Sequence, residues 1–257
     1  MPFRFASLGS GSRGNATLIE AGATRILVDC GYPAREFVAR CERLAFDPTT
    51  LSAILVTHEH GDHMRGVGAV ARRFGIPVWM THGTWYAADF GAIAALNLFA
   101  GHGGGFVIGD LAITPVPVPH DAREPTQFVF RHGDARLGLL TDLGSITPRV
   151  LDAFDGVDAL LLECNHDTRM LATGPYPPRL QARVGGQYGH LNNAQAAAFL
   201  RRIDHGRLRH LVAAHLSEKN NSPDLARQAL LEVSDRLCDC LCLLLQDEIS
   251  DWFAIAS

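Results

Sequence analysis

The sequence predicts an α/β fold in one domain spanning residues 1–257. Three observations lead there. Strand-like and helix-like patterns alternate along the chain with no linker-like segment between them. A length of 257 residues suits one large α/β domain or two small ones, and is ample for a core. Reactive polar residues fall just after apolar strand-like runs, on the loops where such folds carry function.

The elements follow in order. Phe3 to Leu8, Ala16 to Glu20 and Arg25 to Asp29 read as strands, with turns at Gly9–Ser12 and Ala21–Ala23. The Gly-rich Ser10-to-Asn15 loop reads as a hairpin turn, the alternative being backbone donors for a phosphate. Pro33 to Leu44 reads as a helix, Ala53 to Thr57 as a buried strand and Met64 to Phe74 as a helix. Pro77 to Thr81 reads as a strand, and Thr84 to Leu96 as a helix. Leu111 to Val118 is extended, its prolines favouring an edge or a strand end. Thr126 to Arg131 and Arg136 to Thr141 form a hairpin. A helix near Pro148 to Phe154, a strand at Ala159 to Glu163 and a helix at Asn193 to Ile203 come next. The chain closes with a strand at Leu208 to Ala214, a helix from Pro223 to Val233 and a strand pair between Leu241 and Ala256. The alternation in Cys238-Asp239-Cys240-Leu241-Cys242 predicts three buried thiols on one strand face.

Composition narrows the function classes. Charged residues make up 19% and no apolar stretch reaches membrane-spanning length, which points to a soluble protein with no membrane partner. The first eight residues lack the apolar core of a signal peptide, and the six cysteines form no C-x-x-C pair, so the cytoplasm is the expected location. A net charge of −4 excludes a global basic field. Lys219 is the one lysine, so any local anion contact falls mostly to arginine, for example Arg179 and Arg183.

The densest chemical signal is His58-Glu59-His60-Gly61-Asp62-His63, on the loop between the strand at Ala53–Thr57 and the following helix. Imidazole nitrogen and carboxylate oxygen suit Zn, Mn or Fe. Histidines at i and i+2, then an acid and a histidine at i+4 and i+5, split into two pairs that can serve two adjacent ions. His120, Asp142 and His215 each follow a strand-like run. Taken singly, each reads as a satisfied surface group.

Taken with H-x-H-x-D-H, the set resembles the metallo-β-lactamase superfamily, which has a later His, an Asp and a final His in this order. The resemblance implies an αβ/βα four-layer sandwich, two sheets face to face with helices outside and ligands at one rim. It implies two divalent ions (Zn, Mn or Fe): one on His58, His60 and His120, the second on Asp62, His63 and His215, with Asp142 bridging them. Asp29 matches the early aspartate of the superfamily and is expected to orient a ligand, or else to form the turn before Gly31.

Further segments narrow the family. Thr141-Asp142-Leu143-Gly144, Leu161 to Asp167, Gly189 to Asn193 and His215 to Pro223 resemble the phosphodiesterase branch that includes RNase Z and RNase J. Ser7 to Ala16, Gly174-Pro175-Tyr176-Pro177, Gly189-His190-Leu191-Asn192 and Asn220-Asn221-Ser222-Pro223 are similar to the WalJ/YycJ group of small bacterial metallo-hydrolases. The likeness covers nearly the whole chain, with Ala16 standing where many members have Cys.

What it implies is a metal-dependent 5′→3′ exonuclease on DNA, with nucleic acid as its partner and no obligate protein partner. Asp62, His190 and Glu163 are the expected catalytic groups, His190 donating a proton to the leaving oxygen and Glu163 orienting it. Ser217 and Asn220 are expected either to hold a substrate phosphate or to start the Pro223 helix. His166 is expected to face the metals or line the cleft. Two other classes stay open: a small-molecule metallo-hydrolase acting on a cyclic phosphodiester, thioester or lactone, and a non-catalytic metal-containing regulator. A basic groove with stackable Tyr176 and Tyr188 favours nucleic acid, and a narrow closed pocket favours the small molecule.

Overall fold

The computed structural model describes residues 2–256. The first sheet is built from β1 (Phe3–Gly9), β2 (Ala16–Ala21), β3 (Thr24–Val28), β4 (Ala53–Leu55), β5 (Val78–Thr81) and β6 (Leu96–Phe99). The second contains β7 (Phe106–Ile108), β8 (Leu111–Pro117), β9 (Thr126–His132), β10 (Ala135–Leu140), β11 (Ala159–Glu163), β12 (His210–Ala214) and β13 (Leu241–Leu243). The last strand, β14 (Phe253–Ala256), returns to the first sheet beside β1. The orders are β14-β1-β2-β3-β4-β5-β6 and β13-β12-β11-β10-β9-β8-β7. In each sheet one half is antiparallel and the other parallel, with the change of direction at β3 and at β10.

The helices are α1 (Ala34–Arg43), α2 (Gly61–Met64), α3 (Val67–Phe74), α4 (His82–Ala87), α5 (Pro148–Phe154), α6 (Thr168–Thr173), α7 (Pro178–Val184), α8 (Asn193–Leu200) and α9 (Pro223–Leu231). Side chains that alternate along each central strand feed two different cores. Ile26 and Val28 of β3, Leu161 of β11 and Val212 of β12 pack between the sheets with Phe3, Phe5, Phe128 and Phe130. Leu27 turns outward, onto Phe37 of α1 and Val67 and Val70 of α3. Leu160, Leu162 and Leu211 turn the other way, toward Phe154 of α5, Phe199 of α8 and Leu230 of α9. Burial on both faces explains why these strands read as unbroken apolar runs. The result is the expected αβ/βα four-layer sandwich. Among the described residues, no helix is long and apolar enough to cross a membrane.

Three expectations need correction. The helix expected over Thr84–Leu96 stops at Ala87, and the segment passes through Gly91 at φ 69° before joining the first sheet as β6. The alanines that imitate a helix there lie in an irregular connection. The expected C-terminal strand pair is no pair, because β13 lies beside β12 in the second sheet and β14 beside β1 in the first. The cysteines near the C-terminus do not share a buried face. A 3₁₀ turn over Asp235–Asp239 breaks the alternation, and Cys238 and Cys242 are exposed.

Candidate metal centre

The C-terminal ends of β3, β4, β8, β10, β11 and β12 and the loops that follow them meet at one rim of the sandwich, and each brings a reactive side chain. They carry Asp29, His58 to His63, His120, Asp142, Glu163 and His215 respectively. Three of these residues have left-handed backbones: Asp29 at φ 60°, Asp142 at φ 54° and His215 at φ 54°. Only one other non-glycine described residue, Ala45, has positive φ. Each of the three follows the end of its strand, where the left-handed turn directs the side chain across the rim. Such a conformation costs on the order of 1–3 kcal/mol and is retained where the surroundings enforce it. At His215 the enforcement is visible: its N–H donates to Ser10 Oγ at 2.9 Å, and its carbonyl accepts from Asn165 Nδ2 at 3.1 Å.

The candidate ligands converge. His58, His60 and His120 form one group, and Asp62, His63 and His215 a second; within each, the donor atoms lie within 4.8 Å of one another. Asp142 joins His58 and His63 in a third group, and Glu163, His190 and His215 in a fourth, so it touches both of the first two.

Surrounding hydrogen bonds fix which ring nitrogen faces inward. His63 Nδ1–H donates to Asp29 Oδ2 at 2.8 Å. Thr57 Oγ1 donates to the same oxygen at 2.8 Å and lies 2.9 Å from His58 Nδ1, which donates to it. His120 Nδ1–H donates to the Gly189 carbonyl at 2.9 Å. His215 Nδ1–H donates to Glu163 Oε1 at 2.9 Å. In all four histidines this leaves Nε2 as the ring nitrogen turned inward. His60 is reversed: its Nε2 lies 3.2 Å from the Asp121 carbonyl and its Nδ1 lies 3.2 Å from His120 Nε2.

These inward atoms test whether a metal fits. His58 Nε2, Asp142 Oδ2 and His215 Nε2 are buried and have no hydrogen-bond partner among the described residues. Leaving such groups unsatisfied costs about 1–3 kcal/mol each, so a native fold gives them a partner. Burial, reinforced by the charge of His63, pushes His58 well below the ordinary histidine range, and burial lowers His120 too. Both are thus held in the neutral form that metal ligation requires. Burial opposes charge at His63 and His215 as well, but carboxylates outweigh it. Asp142, Asp62 and Asp29 raise His63, and Asp142, Asp62 and Glu163 raise His215 to about 10. The cluster has surplus negative charge that draws in cations, and these donors fit a divalent metal.

Glu163 is the deepest of the carboxylates. Its Oε1 accepts from His190 Nδ1 at 2.8 Å as well as from His215, and its Oε2 accepts from Leu191 N at 2.9 Å and Leu143 N at 3.3 Å. Burial would raise its pKa, but the neighbouring His190 charge and the imidazole hydrogen bonds hold it at about 2.

An open cleft of about 330 Å³ exposes the centre. Asp62, Asp142, His190 and His215 help line it, together with Tyr176, Leu180, Arg183 and Val184 of the α6–α7 region. Arg183 pairs with the Asp121 carboxylate at the mouth.

The remaining expected site residues lie elsewhere. Ser217 borders a separate hollow beside Gln246, and its Oγ accepts from Asn220 N at 3.2 Å and Asn220 Nδ2 at 3.3 Å. Asn220 is fully buried. The geometry gives both to the turn that starts α9, not to the cleft. His166 is buried, bridges Asn192 through its backbone and does not border the cleft.

Several contributing residues escape sequence reading. Thr57 and Asp121 sit beside the metal motifs without belonging to them. Asn15 closes the Gly-rich loop: its Oδ1 accepts from Gly11 N at 2.8 Å, which aims Nδ2 at His63 Nε2, 3.1 Å away, and Asp62 Oδ2, 3.5 Å away. That motif was legible, but the contact spans 48 residues and was not.

The family model described as a beta-lactamase superfamily domain matches residues 24–215. The chain is 34% identical over 236 residues to the Exodeoxyribonuclease YycJ of Bacillus anthracis, covering 91% of this chain and 89% of that protein. It is 32% identical over 234 residues to the Exodeoxyribonuclease WalJ of Streptococcus pneumoniae, covering 89% and 87%. Among solved structures, the metallo-beta-lactamase fold protein YhfI of Bacillus subtilis superposes with a TM-score of 0.74 at 16% identity, over 97% of this chain and 99% of that one. With the family model spanning most of the chain and its ligand motifs gathered at one rim, the protein belongs to the metallo-β-lactamase superfamily of metal-dependent hydrolases.

Proposed function

We propose that this protein cleaves phosphodiester bonds of nucleic acid, as a 5′→3′ exonuclease on DNA acting with two divalent ions. The observation that carries the reading is the placement of His190. Its Nδ1 is held 2.8 Å from Glu163 while its ring borders the same cleft as Asp62, Asp142 and His215. A hydrolase that releases a 3′-oxygen needs a proton donor at that place. The exodeoxyribonucleases that match along about nine-tenths of the chain support DNA as the substrate.

In this reading His58, His60 and His120 would hold one ion and Asp62, His63 and His215 the other, with Asp142 placed to serve either. Divalent ions held there would supply Lewis acidity, which lowers the pKa of a water and offsets charge on a phosphoryl oxygen. Asp29 and Thr57 keep His58 and His63 in the ligating tautomer. His190 gives its proton to the leaving oxygen, and Glu163 stabilises the imidazolium before transfer. Arg183 at the cleft mouth offers a phosphate contact, and Tyr176, with the Lys219 ammonium 5.9 Å from its ring, offers a face to a base. The proposed location is the cytoplasm, where the free cysteines would stay reduced.

The competing reading, a small-molecule hydrolase, draws on the modest volume of the cleft. Metal-replete protein assayed on end-labelled DNA, end-labelled RNA and bis(p-nitrophenyl) phosphate separates them. The nuclease reading expects mononucleotides released in order from the 5′ end of DNA. Turnover of the small diester with intact DNA would overturn it.

A further inference from the structure

Beside the cleft lies a second hollow that the catalytic site does not use. It has a volume of about 390 Å³, and Pro119, Thr147, Arg149, Gln187 and Tyr188 help line it. Pro119 and Tyr188 are the chain neighbours of His120 and Gly189, so the hollow begins where the metal centre ends. Resting on the nuclease reading above, we propose that it is a subsite for the next nucleotide of the substrate strand. A base stacks on Tyr188 and a backbone phosphate meets Arg149.

The Tyr188 platform is rigid. Three consecutive carbonyls of this strip are tied to the rest of the protein. Ser145 Oγ donates to the Gln187 carbonyl at 3.2 Å, Asp121 N to the Tyr188 carbonyl at 2.9 Å and His120 Nδ1 to the Gly189 carbonyl at 2.9 Å. The loop below is equally close: a β-carbon on Gly144 would collide with the Gln187 backbone. Yet the Tyr188 residue is 63% exposed, one of four large hydrophobic residues so placed on the described surface. An aromatic ring kept in water on a pinned backbone loses little freedom when a base stacks on it. Stacking accepts any base, which suits an enzyme that must pass every sequence.

Charge agrees with this assignment. The chain carries a net charge of −4, so a phosphate needs a local cation, and Arg149 is the one cationic residue among those lining the hollow. Among the described residues its guanidinium makes one hydrogen bond, to the His102 carbonyl at 3.4 Å, and no ion pair. It is therefore available to an incoming phosphate.

The test compares substrates of two lengths. Steady-state kinetics of the metal-loaded wild type, Tyr188→Ala, Tyr188→Trp and Arg149→Ala are measured on a single-stranded ten-nucleotide DNA and on bis(p-nitrophenyl) phosphate. Tyr188→Ala should raise KM for the DNA roughly 5- to 150-fold, the range expected for one lost base stack, with kcat on the small diester unchanged. Tyr188→Trp should restore the DNA KM. Arg149→Ala should weaken DNA binding and reduce the salt slope by about one. An unchanged DNA KM in Tyr188→Ala, or equal losses on both substrates, overturns the subsite while the nuclease reading stands. If the wild type turns over the diester but not DNA, both fall together.

Discussion

Glu163 Oε1 lies 2.9 Å from Nδ1 of His215, the ring nitrogen facing away from the candidate metals, and the same oxygen holds His190. One buried carboxylate thereby couples a candidate ligand to the candidate proton donor. Its second oxygen accepts from the backbones of Leu191 and Leu143, which fixes the carboxylate itself.

Glu163→Gln makes the dependence measurable. The carboxamide must turn its NH₂ toward either the two imidazole Nδ1–H groups or the two backbone N–H groups. Either choice sets donors against donors in a fully buried place. We expect a loss of about 1–3 kcal/mol of stability, together with reduced metal content. Urea unfolding and metal analysis check this. A variant as stable and as fully loaded as wild type would show that the carboxylate is replaceable.

Asp29→Asn isolates tautomer control. Asparagine tolerates the left-handed backbone at φ 60°, so the fold should be little disturbed. The amide still has an oxygen for Thr57 N, but its NH₂ then meets His63 Nδ1–H. His63 must move its proton to Nε2, the nitrogen the metal needs. Metal affinity should fall about 10–100-fold. Calorimetric titration with Zn or Mn measures it, and an unchanged dissociation constant would remove Asp29 from this role.

These residues also mark how far the sequence could be read. The ligand motifs were legible because each follows an apolar strand, and strand ends are set by local pattern. Asp29 and Asp142 were visible for the same reason. The contacts of Thr57 and Asn15 were not, because they depend on which loops the sheet order brings together. The helix α7, which supplies Leu180 and Arg183 to the cleft, has no buried residue and so leaves no apolar stripe to detect. The pairing of β13 and β14 in different sheets is likewise a matter of topology, invisible in two similar short runs. Ser217 and Asn220 read equally well as phosphate binders and as helix starters; burial and the bonds between them favour the second.

Gly31 offers a steric test of the same centre. A β-carbon there would overlap the main-chain oxygen of Asp62, because the Asp29-to-Gly31 turn packs directly on the metal loop. Gly31→Ala should push that loop outward and reduce metal loading, with a destabilisation of about 1–3 kcal/mol. Gly104→Ala is the control, since nothing lies within 4 Å of its added carbon and its backbone is ordinary. Equal metal content and equal thermal midpoints for the two variants would show that the close approach at Gly31 can relax freely.

The last prediction separates proton transfer from metal binding. His190→Ala removes an imidazole outside the His58–His60–His120 and Asp62–His63–His215 groups, whereas Asp142→Asn alters the carboxylate that adjoins both. Asparagine is chosen at 142 because that backbone is left-handed at φ 54°. His190→Ala should keep its metal and lose about 10²–10⁴-fold in cleavage of DNA, the usual worth of a positioned general acid. Its activity on a diester with a nitrophenol leaving group should fall much less, since that group departs without a proton. Asp142→Asn should lose metal and both activities. Metal analysis and the two assays, run on both variants, give the answer. Loss of metal in His190→Ala would make His190 a ligand or a structural group. Equal slowing of both substrates with the metal retained would leave His190 in the cleft but remove its role as the acid.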